Sequence, residues 1–231
     1  MNAATLLLCL ALGGAGEKEI AIAHEAIYRS NLERVKEGLA PLKLGEKEMA
    51  AAMWMAQDQA KDNAMRHIDS LGRDFPERVK SFGVEDATGE NCAAGQPTPE
   101  RVITSWLGSP KHRTNMLRKD AKWIGVGYAP ADGTFRHYWT MVLSRGPGYP
   151  AIIENESPTI DRDEVSLYVH GEGTVKRIRI ANDGGAWSDW MPHQPVVKWT
   201  LSPGKGTKKV SVEMMDASGR TRTAEDEIQR S

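Results

Sequence analysis

The chain has 231 residues, of which 40% are hydrophobic and 26% are charged, a composition typical of a folded globular protein rather than a disordered one. This length favours two modest domains, because domains commonly run to about 100–150 residues. Thirty basic residues against 31 acidic ones leave a net charge of −1, so the sequence provides no electrostatic surface for nucleic acid or an anionic membrane. We therefore expect no nucleic-acid partner.

The N-terminus carries a short apolar run over residues 5–12, followed by small residues at 13–16. This pattern predicts a secretory signal over residues 1–16, although no Lys or Arg precedes the run. The run is too short to span a bilayer, so we expect no transmembrane helix and a secreted or envelope-associated protein. Cys9 lacks the small residues that precede a lipidated cysteine, and removal of the signal would leave Cys92 with no disulfide partner.

The first half of the chain has the periodicity of helices followed by strands. Apolar residues at helical spacing predict helices over residues 20–37 and 49–64, and His67 continues the apolar stripe of the second helix by one turn. Thr98-Pro99 and Ser109-Pro110 are start signals for two more helices. Residues 123–128 and 135–143 then predict two strands of a hairpin. Helices around a small antiparallel sheet fit an α-β-α sandwich within an α+β protein.

The second half has the pattern of a small antiparallel β-sandwich. A linker is predicted over residues 146–150, because Gly146-Pro147-Gly148 and Pro150 cannot continue a strand comfortably. Beyond it, alternating runs at 164–170, 175–181, 196–201 and 208–215 are separated by turn residues, so we assign residues 151–231 to this module. The charged tail that closes the chain is expected to be disordered or to precede further repeats.

Three residues are the main candidates for chemistry. His67 follows the second helix, Glu90 stands in Gly89-Glu90-Asn91, and His112 opens a helix after Ser109-Pro110. Two imidazoles and one carboxylate in a cleft can bind a divalent metal such as Zn²⁺ or share a proton. Each residue also has a structural interpretation: His67 as a core histidine, Glu90 as an acceptor that fixes a loop, and His112 as a capping or packing group.

The order of these motifs resembles the CAP superfamily of cysteine-rich secretory, antigen 5 and pathogenesis-related proteins, and is most similar to its bacterial secreted branch. The resemblance begins with Asn31-Leu32-Glu33-Arg34 and Gly38-Leu39-Ala40-Pro41-Leu42. It continues through His67, Gly89-Glu90-Asn91, Trp106 and the His112 motif to Tyr138-Trp139-Thr140-Met141-Val142. It implies an α-β-α sandwich over residues 17–145 and a central cavity lined by His67 and Glu90.

The sequence also departs from the pattern of many eukaryotic members. Their second Glu, three residues after the tryptophan, is replaced by Ser109, and their strand histidine aligns with Tyr138. His137 is adjacent, but a shift of one residue turns a strand side chain to the opposite face unless a bulge intervenes. We therefore expect a cavity lined by His67, Glu90, His112 and Tyr138, with His67 and His112 as the candidate zinc ligands.

Other residues have weaker functional interpretations. Cys92 is more often a small buried hydrophobe than a nucleophile. Three tryptophans, Trp187, Trp190 and Trp199, suggest a carbohydrate platform, but packing within the sandwich is the simpler use. The segment around Trp199 and the Gly204–Val210 turn and strand resembles immunoglobulin-like repeats of bacterial surface proteins. That resemblance implies a surface partner for the second module.

Three hypotheses for function follow. The leading one is a secreted or surface-associated CAP protein that binds an unknown small ligand, a lipid or a divalent metal, or a cell-envelope component, without turnover. The first alternative is a metal-assisted hydrolase or peptidase in which His67 and His112 hold the metal and Glu90 is the general base. The second alternative is a structural envelope or adhesion protein. No definite cofactor follows from the sequence, and Zn²⁺ is the candidate that its residues suggest.

Overall fold

The computed structural model describes residues 16–231, and these divide into two compact units between Gly146 and Pro147. The predicted signal segment and Cys9 lie outside the described residues, apart from Gly16. Within residues 16–231 no helix is both long and apolar enough to cross a bilayer. The two units are described separately below.

The first unit contains five helices and one four-stranded sheet among the residues described. The helices are α1 (Glu17–Lys36), α2 (Glu46–Asp62), α3 (Phe75–Ser81), α4 (Pro99–Gly108) and α5 (Pro110–Met116). The strands are β1 (Lys43–Leu44), β2 (Ala87–Ala94), β3 (Trp123–Pro130) and β4 (His137–Ser144). Their order in the sheet is β1-β3-β4-β2, with β1 parallel to β3 and the other pairs antiparallel. Strand β2 is therefore an edge strand.

Helices cover both faces of this sheet. Val142 of β4 packs with Ala51 and Ala52 of α2 and with Val79 of α3. The next side chains on the opposite face, Trp139 and Met141, belong to the larger core. That core also contains buried residues of α1 and α4, among them Ala23, Ile27 and Trp106. This arrangement confirms the predicted α-β-α sandwich.

Local signals at the helix ends explain which boundaries the sequence predicted. The Thr98 hydroxyl accepts a hydrogen bond from the backbone N–H of Arg101, and Pro99 opens α4, as expected. Helix α2, in contrast, ends at Asp62 because Asn63 adopts a left-handed conformation with φ of 51°. The Asn63 side chain also binds the Thr134 N–H and the Tyr138 hydroxyl. The prediction that His67 continues the helical stripe of α2 was therefore wrong.

The Gly-Glu-Asn motif lies in strand β2, not in a loop as the sequence interpretation had it. The Glu90 carbonyl and the Asn91 side chain are bonded, along the outer edge of the sheet, to groups of α5. The Asn115 amide donates to the Glu90 carbonyl at 3.0 Å and to Asn91 Oδ1 at 2.9 Å. The Asn91 amide donates to the His112 carbonyl at 3.0 Å. Polar residues are thus stable in a buried edge strand because α5 covers that edge.

The second unit is the predicted immunoglobulin-like β-sandwich. Its strands are β5 (Ala151–Ile153), β6 (Thr159–Ile160), β7 (Glu164–Val169), β8 (Val175–Asn182), β9 (Met191–Pro192), β10 (Val196–Thr200), β11 (Gly206–Asp216) and β12 (Thr221–Arg230). They form a three-stranded sheet, β10-β7-β5, and a five-stranded sheet, β6-β12-β11-β8-β9. All pairs are antiparallel except β12 with β6. Alternate residues from both sheets, including Leu167, Ile178 and Val212, form one core.

The prediction of a disordered tail was wrong, because residues 221–230 form strand β12. This strand pairs with β11 from Met215↔Thr221 to Gly206↔Arg230. It places Ile228 in the core, and its Asp226 carboxylate accepts the backbone N–H of Ile153 at 2.6 Å. In this strand buried Asp226 and Ile228 alternate with exposed charged residues. Because one of the two buried residues is an aspartate, the sequence lacks the alternating apolar pattern that predicts a strand.

The close packing of α2 on β3 gives a test of the first unit. A Cβ added at Gly127 would lie 2.1 Å from the Ala52 carbonyl oxygen in the backbone of α2. We expect Gly127→Ala to destabilise the protein by about 2–3 kcal/mol, because a helix backbone cannot yield as a flexible side chain does. Urea unfolding followed by circular dichroism measures this loss.

The matched control is Gly108→Ala in α4, where an added Cβ would meet nothing within 4 Å. We expect this variant to be as stable as the wild type or more stable by up to about 1 kcal/mol, because alanine favours a helix over glycine. Equal destabilisation by the two substitutions would contradict the close approach of α2 to β3.

Candidate functional site

His67 and Glu90 form a direct contact at the edge strand β2 of the sheet. The Nδ1 atom of His67 lies 2.8 Å from Oε1 of Glu90. The side chain of His67 is 57% exposed, whereas that of Glu90 is 3% exposed. His67 reaches the carboxylate from the connection between α2 and α3, and Glu90 points from β2 toward the face that α2 and α3 cover. The exposed imidazole of His67 is thus hydrogen-bonded to the buried carboxylate of Glu90.

The connection that carries His67 is held in place by Asp58 of α2. Its carboxylate accepts hydrogen bonds from Arg66 Nη2 at 2.8 Å and from the Ser70 N–H at 2.9 Å, and it also bonds to the Ser70 hydroxyl. Burial alone would raise the pKa of Asp58, but the hydrogen bonds from Ser70 and Arg66 outweigh burial and lower this pKa. Asp58 therefore stays ionised and fixes the residues on either side of His67.

Arg78 of α3 is the functional residue that the sequence reasoning missed. Its side chain is fully buried, its Nη2 pairs with Oε2 of Glu90, and its Nη1 donates to the His67 carbonyl at 2.9 Å. The guanidinium thus neutralises the buried carboxylate and also positions the backbone of His67. Asp74 and Glu77 form a capping box at the start of α3, with Pro76 in the first turn. That signal predicts the helix, but nothing in it marks Arg78 as buried.

The hydrogen bonds determine which nitrogen of His67 is available. A carboxylate only accepts, so the Nδ1 that faces Glu90 carries the proton and the neutral ring presents Nε2 as its lone-pair atom. The hydrogen bond to Glu90 raises the pKa of His67, and this effect exceeds the opposing effects of burial and of Arg78. A carboxylate behind a histidine is the arrangement that orients metal-binding imidazoles and increases their basicity.

His112 lies in the first turn of α5, close enough to sense the charge of His67. Burial, and to a smaller extent His67, lowers the pKa of His112. Its backbone carbonyl accepts the hydrogen bond from Asn91, the residue that follows Glu90. The structure therefore fixes the backbone of His112 to β2, at the residue that follows Glu90.

Tyr138 is not brought to this pair. It shares the α2-facing side of the sheet with Glu90, because Glu90 pairs with Val142 and Ala94 pairs with Tyr138. Four residues along β4 nevertheless separate Tyr138 from Val142, a distance of about 13 Å along a strand. The buried Tyr138 hydroxyl donates to Asn63 Oδ1 at 2.6 Å, which ties the end of α2 to β4. The Tyr138 hydroxyl therefore contacts Asn63 and not the His67–Glu90 pair.

His137 lies on the opposite face of the sheet from Glu90. The β3–β4 register runs without irregularity from Trp123↔Ser144 to Pro130↔His137, so no bulge turns His137 toward the site. Its Nδ1 lies 2.8 Å from the Tyr128 hydroxyl, and the two rings stack with centroids 6.0 Å apart. His137 therefore provides a control histidine outside the site.

Cys92 lies beneath Glu90 and is not a nucleophile in this arrangement. It is 2% exposed, and burial first, then the negative charge of Glu90, raise the pKa of its thiol. The thiol accepts a hydrogen bond from Gln59 Nε2 at 3.4 Å, and the same amide donates to the Thr140 hydroxyl at 3.1 Å. A sulfur that stays protonated is a poor nucleophile toward a substrate.

The tryptophans of the second unit pack against polar partners of the same sandwich. The Arg179 guanidinium lies 5.2 Å from the Trp187 ring centroid and 4.8 Å from that of Trp190. It also pairs with Glu213. Trp199 donates from Nε1 to Asn182 Oδ1 at 2.7 Å. Each tryptophan therefore has a packing or hydrogen-bonding role within the module.

The donor set of the first unit fits a metal only in part. The Nε2 atom of His67 and the ring of His112 are suitable zinc ligands, and water could complete the four-coordinate set. Both carboxylate oxygens of Glu90 already accept hydrogen bonds, one from His67 and one from Arg78. Glu90 therefore fits the role of a partner that orients His67 better than the role of a metal ligand.

The buried Arg78–Glu90 pair gives a second test. We expect Arg78→Ala to destabilise the protein by about 3–5 kcal/mol, because it leaves a buried carboxylate without its counter-charge. Replacing both partners, by Arg78→Met with Glu90→Leu, should recover a large part of that loss. The free energy of unfolding in urea measures both effects.

Arg118→Ala provides the control, since Arg118 pairs with Asp120 at a partly exposed position. We expect it to cost less than about 1 kcal/mol. If Arg78→Ala behaved like Arg118→Ala, the carboxylate of Glu90 would not depend on Arg78 in the folded protein.

Comparisons with known proteins agree with this architecture. Residues 27–143, more than half of the chain, match the sequence model of the CAP, or cysteine-rich secretory protein, family. The uncharacterized protein YkwD of Bacillus subtilis (strain 168) is 40% identical over 106 residues, which are 45% of this chain and 41% of that protein. A second relative, the uncharacterized membrane protein YlbC of the same organism, is 28% identical over 42% of this chain and 29% of its own length. The chain thus spans less than half the length of these curated relatives.

Solved structures show likeness over a similar share of the chain. An extracellular protein containing an SCP domain from Bacillus anthracis str. Ames matches with a TM-score of 0.49 and 22% identity, over 55% of this chain and 41% of that one. An outer surface protein from Borrelia burgdorferi matches with a TM-score of 0.48 and 18% identity, over 56% of this chain and 95% of that one. Because the family model matches across residues 27–143, the chain belongs to the cysteine-rich secretory protein family.

Proposed function

We propose that this chain is an exported protein whose CAP domain binds a small ligand through the exposed Nε2 of His67, without turnover. The observation that carries this proposal is the buried Arg78–Glu90 pair behind an imidazole that is 57% exposed. A buried ion pair thus holds one ring nitrogen toward solvent. Such pre-organisation lowers the entropic cost of binding.

Zn²⁺ is the ligand that we favour among divalent metals. The neutral imidazole of His67 presents Nε2, and the backbone of His112 is bonded to Asn91, the residue that follows Glu90. Two imidazoles with water are a suitable ligand set for zinc, and a carboxylate behind one of them strengthens that ligand. The chemistry that bound zinc would supply is polarisation of a ligand or of a water molecule.

A lipid is the second candidate, favoured by the surface around His67. Met65, Ile68 and Leu71 lie in the same connection as His67 and are 50%, 57% and 69% exposed. Asp58 and Arg78 hold this connection in place, so the apolar side chains are presented on a fixed backbone. An apolar patch beside a polar group suits an amphipathic ligand.

A metal-assisted hydrolase has less support from the same geometry. A general base needs a carboxylate free to accept a proton from water, whereas Glu90 already accepts from His67 and Arg78. Cys92 is buried, and its raised pKa keeps the thiol protonated. We therefore assign Glu90 the role of orienting His67.

Export and surface association are further parts of the proposal. The apolar run at residues 5–12 supports a secretory signal, and the net charge of −1 gives no reason to expect nucleic acid as a partner. The β-sandwich of the second unit supports a role in spacing or adhesion, with a cell-envelope component as its partner. These assignments rest on the sequence and on membership of the family.

Zinc titration calorimetry on the full chain tests the metal proposal. We expect His67→Ala to abolish Zn²⁺ binding and His137→Ala to leave it intact, because His137 lies on the other face of the sheet. The pKa of His67 is raised above its ordinary 6.5. Protons should therefore compete with Zn²⁺ for Nε2. As the solution is acidified, zinc affinity should already fall before the pH reaches 6.5.

Two results would contradict this account. An equal loss of binding in His67→Ala and His137→Ala would bring His137 into the site and contradict the strand register that places it on the other face of the sheet. An absence of Zn²⁺ binding by the wild-type protein at neutral pH would remove the metal proposal and leave an amphipathic ligand as the better candidate.

A further inference from the structure

Cys92 and His67 form a cluster of metal-binding atoms that lies deeper than the zinc site proposed above. Cys92 stands two residues after Glu90 on the same face of β2, since Glu90 pairs with Val142 and Cys92 with Thr140. One ligand atom from each of His67, Glu90 and Cys92 lies within 4.8 Å of the others. The imidazole is exposed and the thiol is buried, so the cluster reaches from solvent into the protein.

Gln59 of α2 adds a second observation beside the thiol. Its side chain is fully buried, and Nε2 of its amide donates to Cys92 Sγ and to the Thr140 hydroxyl. Its Oε1 is buried without a hydrogen-bond partner among the described residues. Most buried polar atoms have partners, so an unsatisfied amide oxygen on the side chain that contacts the thiol marks a polar surrounding in which a cation would meet an acceptor.

The charges of the cluster select the kind of cation. Arg78 already neutralises Glu90, so the cluster with a neutral imidazole and a protonated thiol carries no net charge. When a metal binds, the thiol releases its proton to the solvent and binds as a thiolate. A monovalent ion then leaves the buried charge unchanged, whereas a divalent ion adds one uncompensated positive charge near Arg78. Sulfur and imidazole ligands also favour soft metals.

We propose that Cys92 and His67 form a binding site for a soft monovalent metal ion of the Cu(I) type, with the buried amide of Gln59 beside the thiol. The spacing agrees with this assignment. Metal–sulfur and metal–nitrogen bonds of about 2.3 and 2.0 Å place the two ligand atoms about 4.3 Å apart in a linear arrangement, and about 3.5 Å apart in a tetrahedral one. One ring nitrogen of His67 lies within 4.8 Å of the Cys92 thiol, a range that includes both separations.

This inference shares with the proposed function only the accessible ring of His67. It does not use His112, and it assigns Cys92 a role that the zinc proposal does not need. Only the zinc site uses His112, and only the Cu(I) site uses Cys92. Substitution of one of these two residues therefore tests one site without the other. Cys9 is the other thiol of the chain, so the background for all measurements is the full chain with Cys9→Ser.

Competition with a chromophoric Cu(I) chelator, under nitrogen with ascorbate, measures binding of Cu(I) alone. We expect one ion per chain, a loss of affinity of at least about 100-fold in Cys92→Ser, and a clear loss in His67→Ala, since even outer-sphere substitutions cost about 10–100-fold. His112→Ala and His137→Ala are the matched controls and should bind as the background protein does. Unchanged Cu(I) affinity in Cys92→Ser would overturn the proposal.

X-ray absorption at the copper edge on the background protein gives a readout that does not depend on any site variant being folded. We expect a sulfur neighbour in the first coordination shell, and a shell of nitrogen and oxygen alone would overturn the assignment. Zn²⁺ binding that requires His112 and persists in Cys92→Ser, without Cu(I) binding, would refute this inference and leave the proposed function standing. Cu(I) binding through Cys92 without Zn²⁺ binding would support this inference and refute the zinc proposal.

Discussion

The buried ion pair between Arg78 and Glu90 is the interaction on which the site depends. A carboxylate that is 3% exposed is unfavourable unless a counter-charge accompanies it, and the fully buried guanidinium of Arg78 supplies that charge. The same guanidinium binds the His67 carbonyl, while the carboxylate binds His67 Nδ1. One pair thus holds both the backbone and the ring of the exposed residue. Removal of Arg78 would free the His67 backbone, and removal of Glu90 would free its ring.

The edge strand β2 connects this pair to the rest of the fold. Its outer edge is covered by Asn115 and by the carbonyl of His112, both from α5, and its inner edge pairs with β4. The strand can therefore carry Glu90 and Asn91 in a buried position, because the outward Glu90 carbonyl and the Asn91 side chain have hydrogen-bond partners in α5. Because His112 is fixed to the strand through its backbone, the two histidines of the site are positioned by neighbouring residues of the Gly-Glu-Asn motif.

Much of the fold could be predicted from the sequence, and the failures have physical reasons. Thr98-Pro99 and Ser109-Pro110 start helices through local capping, and local signals are visible in a sequence. The end of α2 depends on Asn63, whose left-handed conformation is supported by tertiary contacts with Thr134 and Tyr138. Strand β12 was missed because a buried aspartate, Asp226, satisfied by the backbone of another strand, interrupts its apolar pattern.

For the site, the motifs identified His67, Glu90 and His112, and the strand period placed His137 on the other face. Arg78 could not be found in this way, because an arginine in a short helix is ordinarily exposed and only the packing of α3 on β2 buries it. Tyr138 was included by alignment to a family histidine, yet its position along β4 separates it from Glu90. Position in the sheet, rather than alignment, decides which residues meet.

The central claim is that Glu90, held by Arg78, fixes the proton of His67 on Nδ1 and leaves Nε2 for a ligand. The most direct test is the ring tautomer of neutral His67, measured by long-range ¹H–¹⁵N correlation at a pH well above its raised pKa. We expect the Nδ1–H tautomer in the wild-type protein and its loss in Glu90→Leu paired with Arg78→Met. A neutral His67 that carries its proton on Nε2 in the wild-type protein would contradict the account.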